Sequence, residues 1–424
     1  MNFILLLLPF VLISFCQCFI RSHILREKVN PNILSKHNGR VSYLSRAHKQ
    51  ASHTVVFAIA QLNMDKLTAV LDEVSNPSSK NYGKHWPKEK VAEFTANEKG
   101  YEATMQYIQS REGITIVQKT LYNEYIFATA TVEVWEEVFA TVFNVYEVRD
   151  KRATTTVIRA EEYSLPLELD SHVFAVFNTV QFPPENLLQS SGHRDVHSDI
   201  KSFVADESTG SSSSNDIING YVTPAFINQY YNVSNNNISS KATQAVYETG
   251  NQSYSPSDLL KFQQYFHLVQ HPVSEVIGGH AYNNSCIYDN EGYCSEANLD
   301  VQYIMGIAES VTTVYYYSNT SETFLSWIIT VANTPTPANV YSISYGIYEA
   351  FLSPSYTASF DTEAIKLGVM GTTILASSGD DGVAGNLARS NSFGSSVCGY
   401  NPQFPASSPY VTTVGGTNVN TLDV

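Results

Sequence analysis

From Lys241 onward, five apolar stretches at 243–247, 272–277, 313–318, 339–345 and 373–377 alternate with helical patterns at 256–266, 295–309, 322–332 and 358–369. Strands separated by helices cannot pair as simple hairpins. They run parallel in one sheet, with helices covering both of its faces. In a sheet of that kind the chemistry sits beyond the carboxyl ends of the strands. The turn Ser378-Gly-Asp-Asp-Gly382 falls at such an end, directly after the apolar stretch 373–377.

The region upstream has a different rhythm. Residues 54–62 (TVVFAIAQL) read as a strand and 64–75 as a helix with Leu67, Val70 and Leu71 on one side. A helix over 97–110, strands at 114–119 and 123–131, a helix near 132–141 and a strand at 143–148 follow. That order predicts an α+β, ferredoxin-like unit built on a split βαβ motif. Between the two regions, residues 186–218 are polar and Ser-rich, which reads as an exposed linker and a natural processing site. The apolar run 3–15 is too short to span a bilayer, and Cys16-Gln-Cys18 offers small residues for cleavage. The expected organisation is a signal peptide (1–18), an α+β region (19–185), the linker (186–218) and an α/β region (219–424).

Charged residues make up only 15% of the 424 residues, against roughly 25% in ordinary soluble domains. A surface so poor in charge suits a secreted, glycosylated protein. Five sequons, at Asn232, Asn237, Asn251, Asn283 and Asn319, point the same way. The net charge of −15 and the lack of a basic stripe argue against nucleic acid as a partner. No apolar run after residue 15 is long enough to cross a membrane. Cys286 and Cys294 could close a short loop, while Cys398 has no evident partner.

Two pairs of acids stand out. Glu296 and Asp300, four apart in SEANLDVQY, share a helix face with Ile304 and Ile307. Like charges at that spacing weaken a helix, and burying them is costly unless they are neutral or hydrogen-bonded. Two close acids split their titration and make a general base with an orienting partner. The plainer alternative is that Ser295 caps the helix and Glu296 complements its positive end. Asp380 and Asp381 are either turn residues or the site of a protonated acid that donates to an oxyanion. No histidine follows His280, and none sits in a catalytic motif. In Gln244-Ala-Val-Tyr-Glu-Thr-Gly250, Glu248 stands where the first strand of subtilisins carries a catalytic aspartate, so a subtilisin-like sheet here needs another base.

Taken in order, EANLDVQY, SISYG (342–346), ASSGDDG (376–382) and FPASSPYVTTVGGT (404–417) resemble the sedolisins, the serine-carboxyl peptidases with a subtilisin-like catalytic domain. SNPSSKNYGKHW (75–86) is similar to their activation prodomain, and TPAFINQYYNV (223–233) to the start of the mature domain. The resemblance implies polypeptide substrates, release of tripeptides from amino termini, and activity at acidic pH in a lysosome or after secretion. It also implies a prodomain that acts as an intramolecular inhibitor. Glu296 would be the general base, Asp300 its partner and Asp380 the oxyanion-hole acid. Ser344 and Gly346 would contact the substrate backbone. The family's nucleophile lies in a Gly-Thr-Ser motif downstream of VTTVGGT, and no such tripeptide occurs in this sequence. The family's calcium site would also fall beyond Val424. The expectation is therefore an inactive, C-terminally truncated chain. The alternative is a pseudo-protease or a prodomain-based inhibitor.

Overall fold

The computed structural model describes residues 22–31, 33–34, 40–149, 154–183, 222–233, 241–282, 286, 294–318, 323–385 and 399–417. The expected signal peptide, the Ser-rich linker, Asn237, Asn283, Asn319 and Cys398 lie outside them.

The N-terminal region runs β1 (His23–Lys28), β2 (Val41–Arg46), β3 (Ser52–Ile59), α1 (Met64–Ser75), α2 (Lys88–Thr95), α3 (Glu98–Ser110), β4 (Thr115–Lys119), β5 (Tyr125–Thr131), α4 (Val132–Phe139), β6 (Phe143–Arg149), β7 (Thr154–Ala160), β8 (Glu162–Pro166) and β9 (Val173–Phe177). Its main sheet has the order β4-β5-β3-β9 and is antiparallel at every pairing. That is the ferredoxin-like arrangement, with one correction. The strand expected to complete it, at 143–148, is β6, which pairs instead with β2 and β7 in a separate sheet. The fourth strand is β9. Three strands intervene between α4 and the segment that closes the sheet, and local pattern carries no sign of so distant a pairing.

The C-terminal region runs α5 (Pro224–Tyr230), β10 (Thr243–Glu248), α6 (Pro256–Tyr265), β11 (Glu275–Ile277), α7 (Ser295–Ile307), β12 (Thr312–Tyr317), α8 (Thr323–Asn333), β13 (Val340–Ile343), β14 (Ile347–Tyr348), α9 (Pro354–Met370), β15 (Thr373–Ser377), β16 (Gln403–Phe404) and β17 (Thr412–Val414). Its six-stranded sheet, β11-β12-β10-β13-β15-β17, is parallel throughout. Alternate side chains of β10 serve opposite layers, as the period of a strand requires. Val246 packs with Ala297, Val301 and Met305 of α7 and with Leu259 of α6. Ala245 and Tyr247 pack into the layer of α8 and α9 with Trp327, Ile328 and Phe360. The sheet thus carries helices on both faces.

The two regions share a core. On β3, Val55, Phe57 and Ile59 face Trp135 and Phe139 of α4. Val56 and Ala58, with Phe177 of β9, face the opposite way into the cluster that holds Leu325, Ile329 and Leu367. A strand buried on both faces needs an unbroken apolar run, which is what VVFAIA supplies. Each large side chain so buried contributes about 1.5–3 kcal/mol. Helix α1 also lies close against α9: a methyl group at Gly368 would come within 2.7 Å of Leu71 Cδ1. Near the end of α9, the Trp86 amide donates to the Val369 carbonyl at 3.0 Å.

Candidate active site

The carboxyl ends of β10, β13 and β15 converge with the first turns of α7. Strand β10 ends in Glu248, which is fully buried. The Tyr345 hydroxyl, just beyond β13, donates to Glu248 Oε2 at 2.5 Å. The start of α7 departs from expectation. Its N-cap is Cys294, which makes no side-chain cap, and Ser295 lies inside the first turn. The cap comes from across the loop after β10, where the buried Gln252 Oε1 accepts from the amides of Glu296 at 3.2 Å and Ala297 at 3.5 Å. A longer side chain anchored elsewhere thus does what a serine would otherwise do. Cys294 is also joined to Cys286 in a disulfide with Cα atoms 5.8 Å apart.

Glu296 and Asp300 follow on the flank of the Ala297–Val301–Met305 stripe, beside the partly buried Ile304. The Ser344 hydroxyl hydrogen-bonds the Asp300 carboxyl, which also meets the carboxyl of Glu248. Asp300 Oδ2 and Glu248 Oε1 are buried with no donor among the described residues. Two ionised carboxylates can only accept, so contact between them requires a proton. Burial pushes Glu248 well above the usual carboxylate range, and the Asp300 charge adds to this. Burial also raises Asp300, to about 6, even though the Ser344 and Glu248 hydrogen bonds act against the rise. Glu296 is pushed up to about 8, by burial first and then by the charges of Asp300 and Asp380. No lysine, arginine or histidine is among the groups that shift these three acids. With no cation against them among the described residues, the three carboxyl groups hold protons in common.

Asp380 lies exposed on the bend after β15, near enough to Glu296 for its charge to be felt. Gly379, at φ 96°, makes that bend with a backbone angle that side chains rarely adopt. Asp381 instead leads into the short 3₁₀ turn Gly382–Ala384. Gly346 is buried, and a methyl group there would come within 2.6 Å of Gln403 Oε1 and 3.2 Å of Gln403 Cβ, so the backbone runs close against Gln403. Of the sequons, Asn232 and Asn251 are exposed, and Asn251 Oδ1 accepts from the Tyr317 hydroxyl at 3.3 Å. Among the described residues, no three His, Cys, Asp or Glu side chains are placed to hold a metal ion. No helix among them is long and apolar enough to cross a membrane. Sequence reading marked Glu248 only as a replaced aspartate and did not select Tyr345 or Gln252. The available signal was a lone acid ending an apolar strand at the sheet's carboxyl edge.

Residues 40–182 match the family model described as "Pro-kumamolisin, activation domain". The chain is 29% identical over 387 residues to tripeptidyl-peptidase 1 of Canis lupus familiaris and 29% identical over 385 residues to that of Homo sapiens. Against the Mus musculus protein it is 30% identical over 386 residues. These matches support the sedolisin family. In each of these matches the alignment covers 88% of this chain and 63% of the relative. The chain therefore spans about 63% of the length of the curated relatives it matches. A solved Pseudomonas sedolisin, a serine-carboxyl proteinase complexed with two molecules of pseudo-iodotyrostatin, aligns at a TM-score of 0.34 and 23% identity, over 46% of this chain and 53% of that one. That match is too loose to argue from. Within the chain, the activation-domain match falls on the antiparallel region, and the carboxylate cluster falls on the parallel sheet.

Proposed function

We propose that this chain comprises the prodomain and the acid-bearing part of the catalytic domain of a secretory-pathway, lysosomal or secreted peptidase that removes tripeptides from the amino termini of polypeptides in acid. The observation that carries the reading is the cation-free cluster of Glu248, Asp300 and Glu296 at the carboxyl edge of a parallel sheet. Glu296 is the general base for the nucleophile's hydroxyl proton, and Asp300 shares its charge. Glu248 and Tyr345 are positioning residues, because they act on Asp300 rather than on substrate. Ser344 orients Asp300 through its hydroxyl, and Asp380 sits where a protonated acid would donate to the developing oxyanion. A base must be ionised, yet Glu296, pushed up to about 8, would on its own stay protonated throughout acid and up to neutral pH. The charge that abstracts the proton therefore belongs to the cluster and not to one side chain.

The domain limits follow the same reading: a prodomain over 19–185, a maturation site within 186–218 and a catalytic portion from 219. The Gly-Thr-Ser motif of the family's nucleophile does not occur in this sequence, and the second reading is a non-enzymatic pseudo-protease or prodomain-based inhibitor. The test is the pH–rate profile of a form that carries the nucleophile, with and without Glu248→Gln. The first reading expects turnover in acid whose controlling pKa moves with the substitution. A nucleophile-bearing form that hydrolyses no peptide at any pH would leave the second.

A further inference from the structure

Away from this site, one buried charge takes no part in the chemistry. Lys366, on α9, is 4% exposed. Its ammonium lies 2.9 Å from Glu124 Oε1 of the N-terminal region and 2.9 Å from Glu363 Oε2 of its own helix. Glu363 is fully buried, and its Oε1 accepts from the Tyr125 hydroxyl at 3.1 Å and the Gln61 amide at 3.0 Å. The Thr120 hydroxyl donates to Glu124 Oε2 at 2.8 Å. Lys88 and Tyr122 are the other titratable groups within electrostatic reach of Glu124. One cation thus serves two carboxylates, one from each side of the interface.

Apolar burial is strong but non-directional. Helix α9 is 17 residues long, about 25 Å, and offers apolar surface along its length, so apolar contact alone leaves several registers close in energy. A buried charge is different, because leaving it unmet is strongly unfavourable. Gln61 and Tyr125 also reach the middle of α9, but as neutral donors to Glu363, and the remaining polar attachments lie nearer its ends. Ser355 donates to Glu27 Oε1 at 2.7 Å, and Trp86 donates through its amide to Val369. Neither sets one buried charge against another. We propose that Lys366 is a receptor for a carboxylate delivered by the docking N-terminal region, and that Glu124 is the group it accepts, so that this pair fixes the register and identity of what docks on α9. Repulsive pairing excludes the alternatives: a docked segment without an acid at this point leaves Lys366 half-met, and one with a base confronts it with like charge. The inference concerns docking and holds whether or not the carboxylate site turns over.

The test uses the full chain with a protease site inserted within 184–221. The chain is cut after folding, and the affinity of the two pieces is then measured. Glu124→Gln is nearly isosteric, and far-UV circular dichroism checks that its fold is kept. It should weaken association by about a hundredfold or more. The exchange Glu124→Lys with Lys366→Glu keeps one cation and two carboxylates in the socket. It should restore affinity to within about tenfold of the parent, whereas Lys366→Glu alone should not. A change of threefold or less for Glu124→Gln would overturn the proposal. So would an exchange variant that binds as poorly as Lys366→Glu alone.

Discussion

At the interface with α9, Glu124 and Glu363 meet Lys366. At the ends of β10 and β13, Glu248, Asp300 and Glu296 meet no cation among the described residues. Both groups are buried, and burial alone would push Glu124, Glu248, Asp300 and Glu296 up. At the interface the Lys366 ammonium and its hydrogen bond more than reverse that push, leaving Glu124 below its usual range. At the sheet edge nothing reverses it, and the acids rise. A carboxylate held by a fixed cation is a fastener, because its charge is already satisfied. Carboxyls left to divide protons among themselves can give and take them, and that is what proton-transfer chemistry requires.

The comparison can be broken most severely from the reactive side. In a nucleophile-bearing form, Glu296→Gln should lower turnover about a thousandfold or more while the thermal unfolding midpoint holds or rises. Retention of even a tenth of the parent rate, measured as tripeptide release, would remove Glu296 from the chemistry. On the fastening side, Lys366→Met strands two buried carboxylates. It should cost about 3 kcal/mol or more in urea unfolding, and more than Glu124→Gln, which strands none.

The opposite shifts also give opposite pH dependences. Glu296 has a raised folded value, near 8 against 4.5, so its contribution is complete below pH 4.5 and is lost as pH rises through 8. Glu124 has a lowered folded value, so its contribution is complete above pH 4.5 and is lost as pH falls through the lowered value. Urea titrations across pH 3–9 should show stability declining on both sides. Glu296→Gln should flatten the alkaline side by about 2 kcal/mol, less than the full shift implies because protons are shared in the cluster. An unchanged alkaline slope would mean that Glu296 is not held protonated by the fold. The smallest effect is expected from Tyr345→Phe, which removes one donor from Glu248. It should cost about 1 kcal/mol of stability and move the pH–rate profile toward higher pH. Loss of stability with an unmoved profile would make Tyr345 a packing residue only.

Much of this was legible in the sequence, for reasons that differ by region. Alternating strand and helix patterns fixed the parallel sheet, because each element's period is local and a helix between strands leaves few topologies. The acid pair on α7 was visible as a local conflict: two like charges beside a buried stripe. The substitution of β9 for β6 was hidden, since pairing across an intervening three-stranded excursion leaves no local trace. Gln252 was hidden for the same reason, being a cap delivered from another loop. Lys366 escaped notice because a lysine within a helical pattern reads as solvated surface, and only the docked N-terminal region makes it interior.

Strand β3 is clad on both sides while the two regions are together. Strip α8 and α9 away, and Val56, Ala58 and Phe177 look out into water as a continuous greasy flank. A detached N-terminal piece would carry that greasy flank until it found its seat again, so the same oily strip that binds the halves also pulls them back together.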